Sequence, residues 1–183
     1  MSEQLPFQTV GKVCGPNPGF VRSLWLIDAR KVEYIPDPIW QYGNNSLLVP
    51  SRIISFFSDA TVYRMEFKNK DCTYQEPATT SEAGIKYTQS IQFGISQLNL
   101  QNTSWLFDNA NTRWIAFFQD HLRNNRIAGA VSIPMAMNFS SQMGGENNTN
   151  VSLVCESTHP AWFTDSMPAL ERVFSSGFGE SFA

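Results

Sequence analysis

Gly84-Ile85-Lys86-Tyr87-Thr88-Gln89-Ser90-Ile91-Gln92-Phe93 alternates almost without a break. Ile85, Tyr87, Ile91 and Phe93 share one face, and Lys86, Thr88, Ser90 and Gln92 share the other, which is the period of a half-buried strand. The same architecture continues to Phe163. Over residues 98–110 the period changes: Leu98, Leu100, Trp105, Leu106 and Ala110 fit a helix of about three turns, with Asn102 or Thr103 as its cap. Thr112–Gln119 holds Trp114-Ile115-Ala116-Phe117-Phe118 and reads as a buried strand. Asp120–Asn125 is a hairpin turn. Arg126–Met137 carries Gly129 and Pro134 and splits into two short pieces. Ser140–Asn150 is a hairpin with Gly144-Gly145 at its tip. Val151–Cys155 is the last strong strand, and the pattern closes at His159-Pro160-Ala161-Trp162.

Upstream, residues 1–19 contain three glycines and are an irregular lead-in. Phe20–Ile27 is a dense apolar strand that Val32–Ile35 continues, and Pro36-Asp37-Pro38 breaks the ladder because proline has no N–H to donate. Residues 36–49 read as a loop, Arg52–Phe57 as a strand, and Thr61–Lys68 as an alternating strand with Tyr63, Met65 and Phe67 on one face. Cys72–Gln75 is a further strand, and Ala78–Gly84, small and polar, reads as a loop. Ala169–Phe174 is a helical turn or two. Strand after strand with one helix predicts a mainly β fold, an antiparallel β-sandwich or barrel with a single flanking α-helix. The expected organisation is an arm at 1–19, a β domain at 20–163 and an extension at 164–183.

The composition narrows the function. The net charge is −3, and no basic run occurs, so a nucleic-acid binder that works by phosphate neutralisation is not indicated. Only 16% of residues are charged, against fourteen Phe and five Trp. That balance suits a chain that buries aromatic surface against a partner as well as in its own core. The first residues lack a basic stretch followed by an apolar one, and no apolar run approaches a membrane span, so the expectation is a protein made in the cytoplasm with reduced Cys14, Cys72 and Cys155.

Chemistry-bearing clusters are not evident. His121 and His159 each sit beside a turn and read as structural or solvated. No Cys-x-x-Cys or His-x-x-x-His spacing suggests zinc, and Gly144-Gly145 lacks the lysine and following helix of a phosphate loop. The carboxylates are scattered, with Glu3, Glu33, Glu66 and Glu76 on separate segments. Asn44, Asn102, Asn138, Asn147 and Asn150 open glycosylation sequons that read as coincidence in an Asn-rich chain. The expectation is no enzyme, no catalytic residue, no metal and no cofactor.

The order of segments resembles the tail-tube-like virion proteins of phages and prophages, common in phages of Bacteroidetes hosts. The resemblance rests on Gly19–Ile27, on Tyr63-Arg64-Met65-Glu66-Phe67, on Gly84–Phe93, and on the helix leading to Arg113–Asp120. It continues through Arg126–Gly129, the Gly144-Gly145 hairpin and Val151–Ala161, about three-quarters of the chain. It implies a β-sandwich or barrel whose copies close a six-fold or twelve-fold ring around a channel that passes DNA without gripping it. Portal, neck or tail proteins would be its neighbours and the virion its location. The longer loop at 36–50 and the residues that follow His159-Pro160 point to a specialised ring, at the neck or between portal and tail. Ser141, Gly144, Gly145, Asn148, Trp162, Phe178 and Phe182 are the expected subunit-interface residues. The alternative is a carbohydrate-binding or host-adhesion β-sandwich, motivated by Trp40, Tyr42 and Trp162.

Overall fold

The computed structural model describes residues 19–37, 47–68, 70–82, 84–96, 99–142 and 148–167. In chain order the elements are β1 (Val21–Asp28), β2 (Val32–Tyr34), β3 (Leu48–Val49), β4 (Ser55–Phe56), β5 (Val62–Glu66), β6 (Cys72–Gln75), β7 (Ala78–Ser81) and β8 (Gly84–Ser96). Then come α1 (Leu100–Asn109), β9 (Arg113–Asp120), β10 (Asn125–Ala128), β11 (Met135–Gln142), β12 (Asn148–Ser157) and β13 (Trp162–Thr164). Single 3-10 turns occupy Ala29–Lys31 and Ser51–Ile53. The fold is mainly β with one α-helix among the described residues.

Eleven strands share one sheet, and β9 is its hub. One edge of β9 takes β1, from Asp28↔Trp114 to Val21↔Asp120. The other edge takes β10 opposite Ala116–Gln119 and then β11 opposite Arg113 and Trp114. The sheet therefore branches. Past β11 it runs through β12 and β8 to β6, and past β10 it runs through β13 to β3. All these ladders are antiparallel except the one between β13 and β3. β1 carries β5 on its remaining edge. Phe20, just before β1, bridges Thr73 of β6, so the long branch curls back onto the strand beside the hub. This is the barrel-like closure that the alternating strands predict.

The curl explains the unbroken apolar run of β9. Trp114, Ala116 and Phe118 point into a core inside the curled sheet, with Leu24, Leu26, Ile91, Phe93 and Leu153. Ile115 and Phe117 point the opposite way, into a second core with Ile27, Val32, Val49, Ile54, Ile127 and Trp162. A strand walled by protein on both faces has no solvent side on which to place polar residues. Each large side chain buried this way contributes about 1.5–3 kcal/mol. Trp105 and Leu106 of α1 enter the first core. Tyr63 packs edge-on against Trp105 and Trp114, with centroids 5.5 and 5.7 Å away.

The helix begins at Asn99, whose side chain accepts a hydrogen bond from the Asn102 amide at 2.7 Å, so the cap lies three residues before Asn102. The turn at Asp120–Asn125 forms as expected, with Asp120 accepting from the Asn124 amide at 2.8 Å and Arg123 at φ +64°. Several expectations need correction. Val32–Tyr34 does not continue β1 but forms β2, which pairs with β4 in a separate two-stranded sheet. Leu48–Val49, expected as loop, is β3, parallel to β13. Arg52–Phe57 is divided between a 3-10 turn and the two-residue β4. Ala78–Ser81, expected as loop, is β7, paired to β8 from Ala78↔Tyr87 to Ser81↔Gly84. All four β7 residues are exposed, so no apolar alternation could reveal it. Trp162–Thr164 adds a strand after the one that His159-Pro160 ends. Cys72 and Cys155 are free and buried. They lie on the strands flanking β8, opposite Phe93 and Gln89 respectively, four residues apart along it. Among the described residues no helix is long and apolar enough to cross a membrane.

Candidate assembly surface

The long branch ends in a wall of five strands, with β11, β12 and β8 in succession and β6 and β7 sharing the last edge. Its inner face supplies core side chains: Val151, Leu153 and Cys155 from β12, and Ile91, Phe93 and Ile95 from β8. Its outer face carries small hydrogen-bonding groups in register. One row runs Asn138, Ser152, Gln92 and Thr73, and the next runs Ser140, Asn150 and Gly94. Gly94 leaves a dip, and the Asn148 side chain lies across it, 3.2 Å from where a Cβ would stand. The dip belongs to a groove of about 410 Å³, with Lys70 and Asp71 also on its lining.

Both margins of this wall are open among the described residues. At one, β7 pairs only with β8. At the other, β11 leaves β9 after Ala136, and from Met137 to Gln142 it pairs only with β12. Residues 138–142 are exposed on both sides of the strand. The sequence dictates this change: Met135 and Met137 anchor the strand in the core, and Asn138-Phe139-Ser140-Ser141-Gln142 then has too little apolar surface to bury. The Ser141 and Thr149 hydroxyls, directly opposite each other, hydrogen-bond at 2.9 Å and hold the hairpin together beyond the core.

A buried polar network fixes the wall to the rest of the fold. Gln89, fully buried on β8, donates through Nε2 to the His159 carbonyl at 3.1 Å. Its Oε1 accepts from the Gly129 amide at 2.8 Å and from Cys155 Sγ at 3.5 Å. Gly129 has φ +77°, and a Cβ there would lie 3.0 Å from Met135 Cγ and 3.3 Å from the Trp114 carbonyl, so both backbone and space call for glycine. Nearby, Glu76 accepts from Arg126 at 3.0 Å, from the Tyr74 hydroxyl and from the Ala161 amide at 3.1 Å. The Arg126 guanidinium lies 4.8 Å from the Phe163 ring centroid and 5.0 Å from that of Tyr74. Burial, followed by Glu76, raises the Tyr74 phenol above its usual range, and burial raises the Cys155 thiol to about 11. Neither group is disposed to ionise near neutral pH.

The expected interface residues separate clearly. Ser141 lies on the open margin of β11, and Asn148 opens β12 between Gln142 and Ser96. Gly144, Gly145, Phe178 and Phe182 lie outside the described residues, as do Trp40 and Tyr42. Trp162 is a correction: it is 3% exposed, packs in the second core and stacks on His159 at 4.2 Å. Its ring is therefore presented neither to a neighbouring copy nor to a glycan. The adjacent Phe163 is the exposed aromatic of that strand. His159 is held by this stack and by Nδ1 donating to the Pro160 carbonyl at 2.9 Å. Among the described residues no three His, Cys, Asp or Glu side chains gather to hold a metal. Sequence reading missed the β7 margin, for which the faint signal was Thr79-Thr80 ahead of a Gly84 at φ +112°. No protein-family model, curated protein or solved structure matches this chain.

Proposed function

We propose that this chain is a structural subunit that closes into a ring with copies of itself, the role of the tail-tube-like virion proteins its motif order resembles. The observation that carries this reading is the pair of open margins on one wall. The β7 margin of one copy adds to the β11 margin of the next, which is a head-to-tail contact. Repeated with a fixed rotation, such a contact closes a ring and leaves neither margin of the wall unpaired. The wall's outer face, rich in amides and hydroxyls and poor in charge, becomes continuous around the ring. Six or twelve copies would surround a channel in the tail or neck of a virion, beside portal, neck or tail proteins. A net charge of −3 per copy suits a channel through which DNA must slide, since clustered lysine and arginine would hold its phosphates.

The outer-face register supplies the test. Thr79 pairs with Lys86, and Ser140 pairs with Asn150. Lys86 also meets Glu156 in an ion pair, which places these side chains on the same outer face. In the double variant Thr79→Glu with Ser140→Glu, like charges meet wherever margins join, and rings seen by electron microscopy should be lost while circular dichroism is unchanged. Thr79→Glu with Ser140→Lys restores attraction and should restore rings. Equal assembly by both double variants would remove these margins from the contact.

A further inference from the structure

The most exposed large apolar side chains of the described residues are on α1: Leu100 is 84% exposed and Phe107 is 79% exposed. They are seven residues apart, so they lie on one side of the helix, about 10 Å apart along its axis. Between them Thr103 and Ser104 are exposed and small. The opposite side of the helix is already occupied, because Trp105 and Leu106 fill the inner core. α1 thus presents a narrow apolar ridge with a shallow middle, exposed among the described residues.

The sequence contains a segment that fits such a ridge. Phe174, Phe178 and Phe182 recur every fourth residue. That spacing puts all three on one side of a helix and equally on one side of an extended strand. The described chain ends at Met167, which packs on the outer core beyond β9. α1 belongs to the inner core, on the opposite face of β9. Met167, the last described residue, and α1 thus lie in cores on opposite faces of β9. We propose that residues 168–183 of one copy dock, through Phe174, Phe178 and Phe182, on the Leu100–Phe107 ridge of α1 in a neighbouring copy. This rests on the ring reading and adds a second, aromatic contact to the strand margins.

The test uses the full chain with Cys14→Ser, in which the remaining Cys72 and Cys155 are buried. A tagged chain carrying Phe107→Cys is mixed with an untagged chain carrying Phe178→Cys, oxidised, and run on a non-reducing gel. The expected result is a disulfide between tagged and untagged chains. Leu100→Glu with Phe107→Glu, and separately deletion of 168–183, should each lower the ring fraction at least tenfold without changing circular dichroism. Four results overturn the docking. Rings that persist after the deletion, or that form with no mixed disulfide, overturn it while leaving the ring reading intact. A chain carrying both cysteines that gives only an internal disulfide places the segment on its own helix. Failure of the unsubstituted chain to form rings at all removes the ring reading and the docking with it.

Discussion

Replacing Gln89 by leucine tests whether the buried network holds the wall to the rest of the fold. Leucine keeps the volume approximately and removes three hydrogen bonds, those to the His159 carbonyl, the Gly129 amide and Cys155 Sγ. The carbonyl and the amide are then left without their partner in a buried site, at about 1–3 kcal/mol each, and the thiol adds little because it is a weak donor. Leucine gains back part of this, since it does not have to be stripped of water hydrogen bonds. The net loss should be about 2–4 kcal/mol. A chain of this size has a urea m-value of roughly 2 kcal/mol per molar, so the midpoint should fall by about 1–2 M. Tryptophan fluorescence reads the transition, because Trp105 and Trp114 lie in the same core as the curled sheet. Gln89→Glu adds a second arm. At neutral pH it buries a carboxylate facing the His159 carbonyl, so it should be less stable than the leucine variant. It should recover as pH falls and the carboxyl gains a proton to donate. A midpoint shift below about 0.3 M for Gln89→Leu would refute the reasoning.

Gly129→Ala should cost at least about 1–2 kcal/mol, because alanine at φ +77° is strained and its Cβ would press on Met135 and the Trp114 carbonyl; thermal unfolding measures this, and an unchanged midpoint contradicts it. In a Cys14→Ser background the thiols should react with a disulfide reagent at pH 8 only after denaturation, since burial pushes the Cys155 thiol up to about 11 and raises Cys72 further; prompt labelling of the folded chain contradicts this. Hydrogen bonds from the Ser51 amide and the Ser51 side chain, then from the Ser166 amide, hold the Asp165 carboxyl below its usual range, with Ser51 N at 2.8 Å. A lowered carboxyl stabilises the fold above its unfolded value and ceases to do so as pH falls through the folded one. The stability difference between the unsubstituted chain and Asp165→Asn should therefore be present at pH 6 and close below about pH 4; a difference that persists at pH 2 contradicts the assignment.

Where a strand of four residues or more buries a face, its pattern was visible in the residues. Ile91 and Phe93 announce β8, Met65 announces β5, and the apolar block Trp114–Phe118 announces a strand buried on both faces. The sequence concealed the rest for separate reasons. β7 buries nothing, so its only support is a backbone ladder that every residue type can make, and Ala78-Thr79-Thr80-Ser81 leaves no periodic trace. β13 is three residues long, too short for a period to show, and its Trp162 looks the same in sequence whether it faces solvent or a second core. Gln89 falls on the apolar face of an alternating strand, where a polar residue reads as an imperfection. Its role depends on Gly129 and His159, which are 40 and 70 residues away. Of the residues expected at an interface, Ser141 and Asn148 lie on β11 and β12, whereas the burial of Trp162 was not legible, because composition counts aromatic rings without locating them.

The central claim is that β7 of one copy completes the margin of β11 in the next. An electron-microscopy reconstruction of the purified full chain, at a resolution that separates strands, tests it most directly. The account predicts a closed ring in which Ala78–Ser81 lies alongside the Met137–Gln142 stretch of the adjacent copy. Monomers at every concentration, or a ring whose copies meet only at other surfaces, would contradict it.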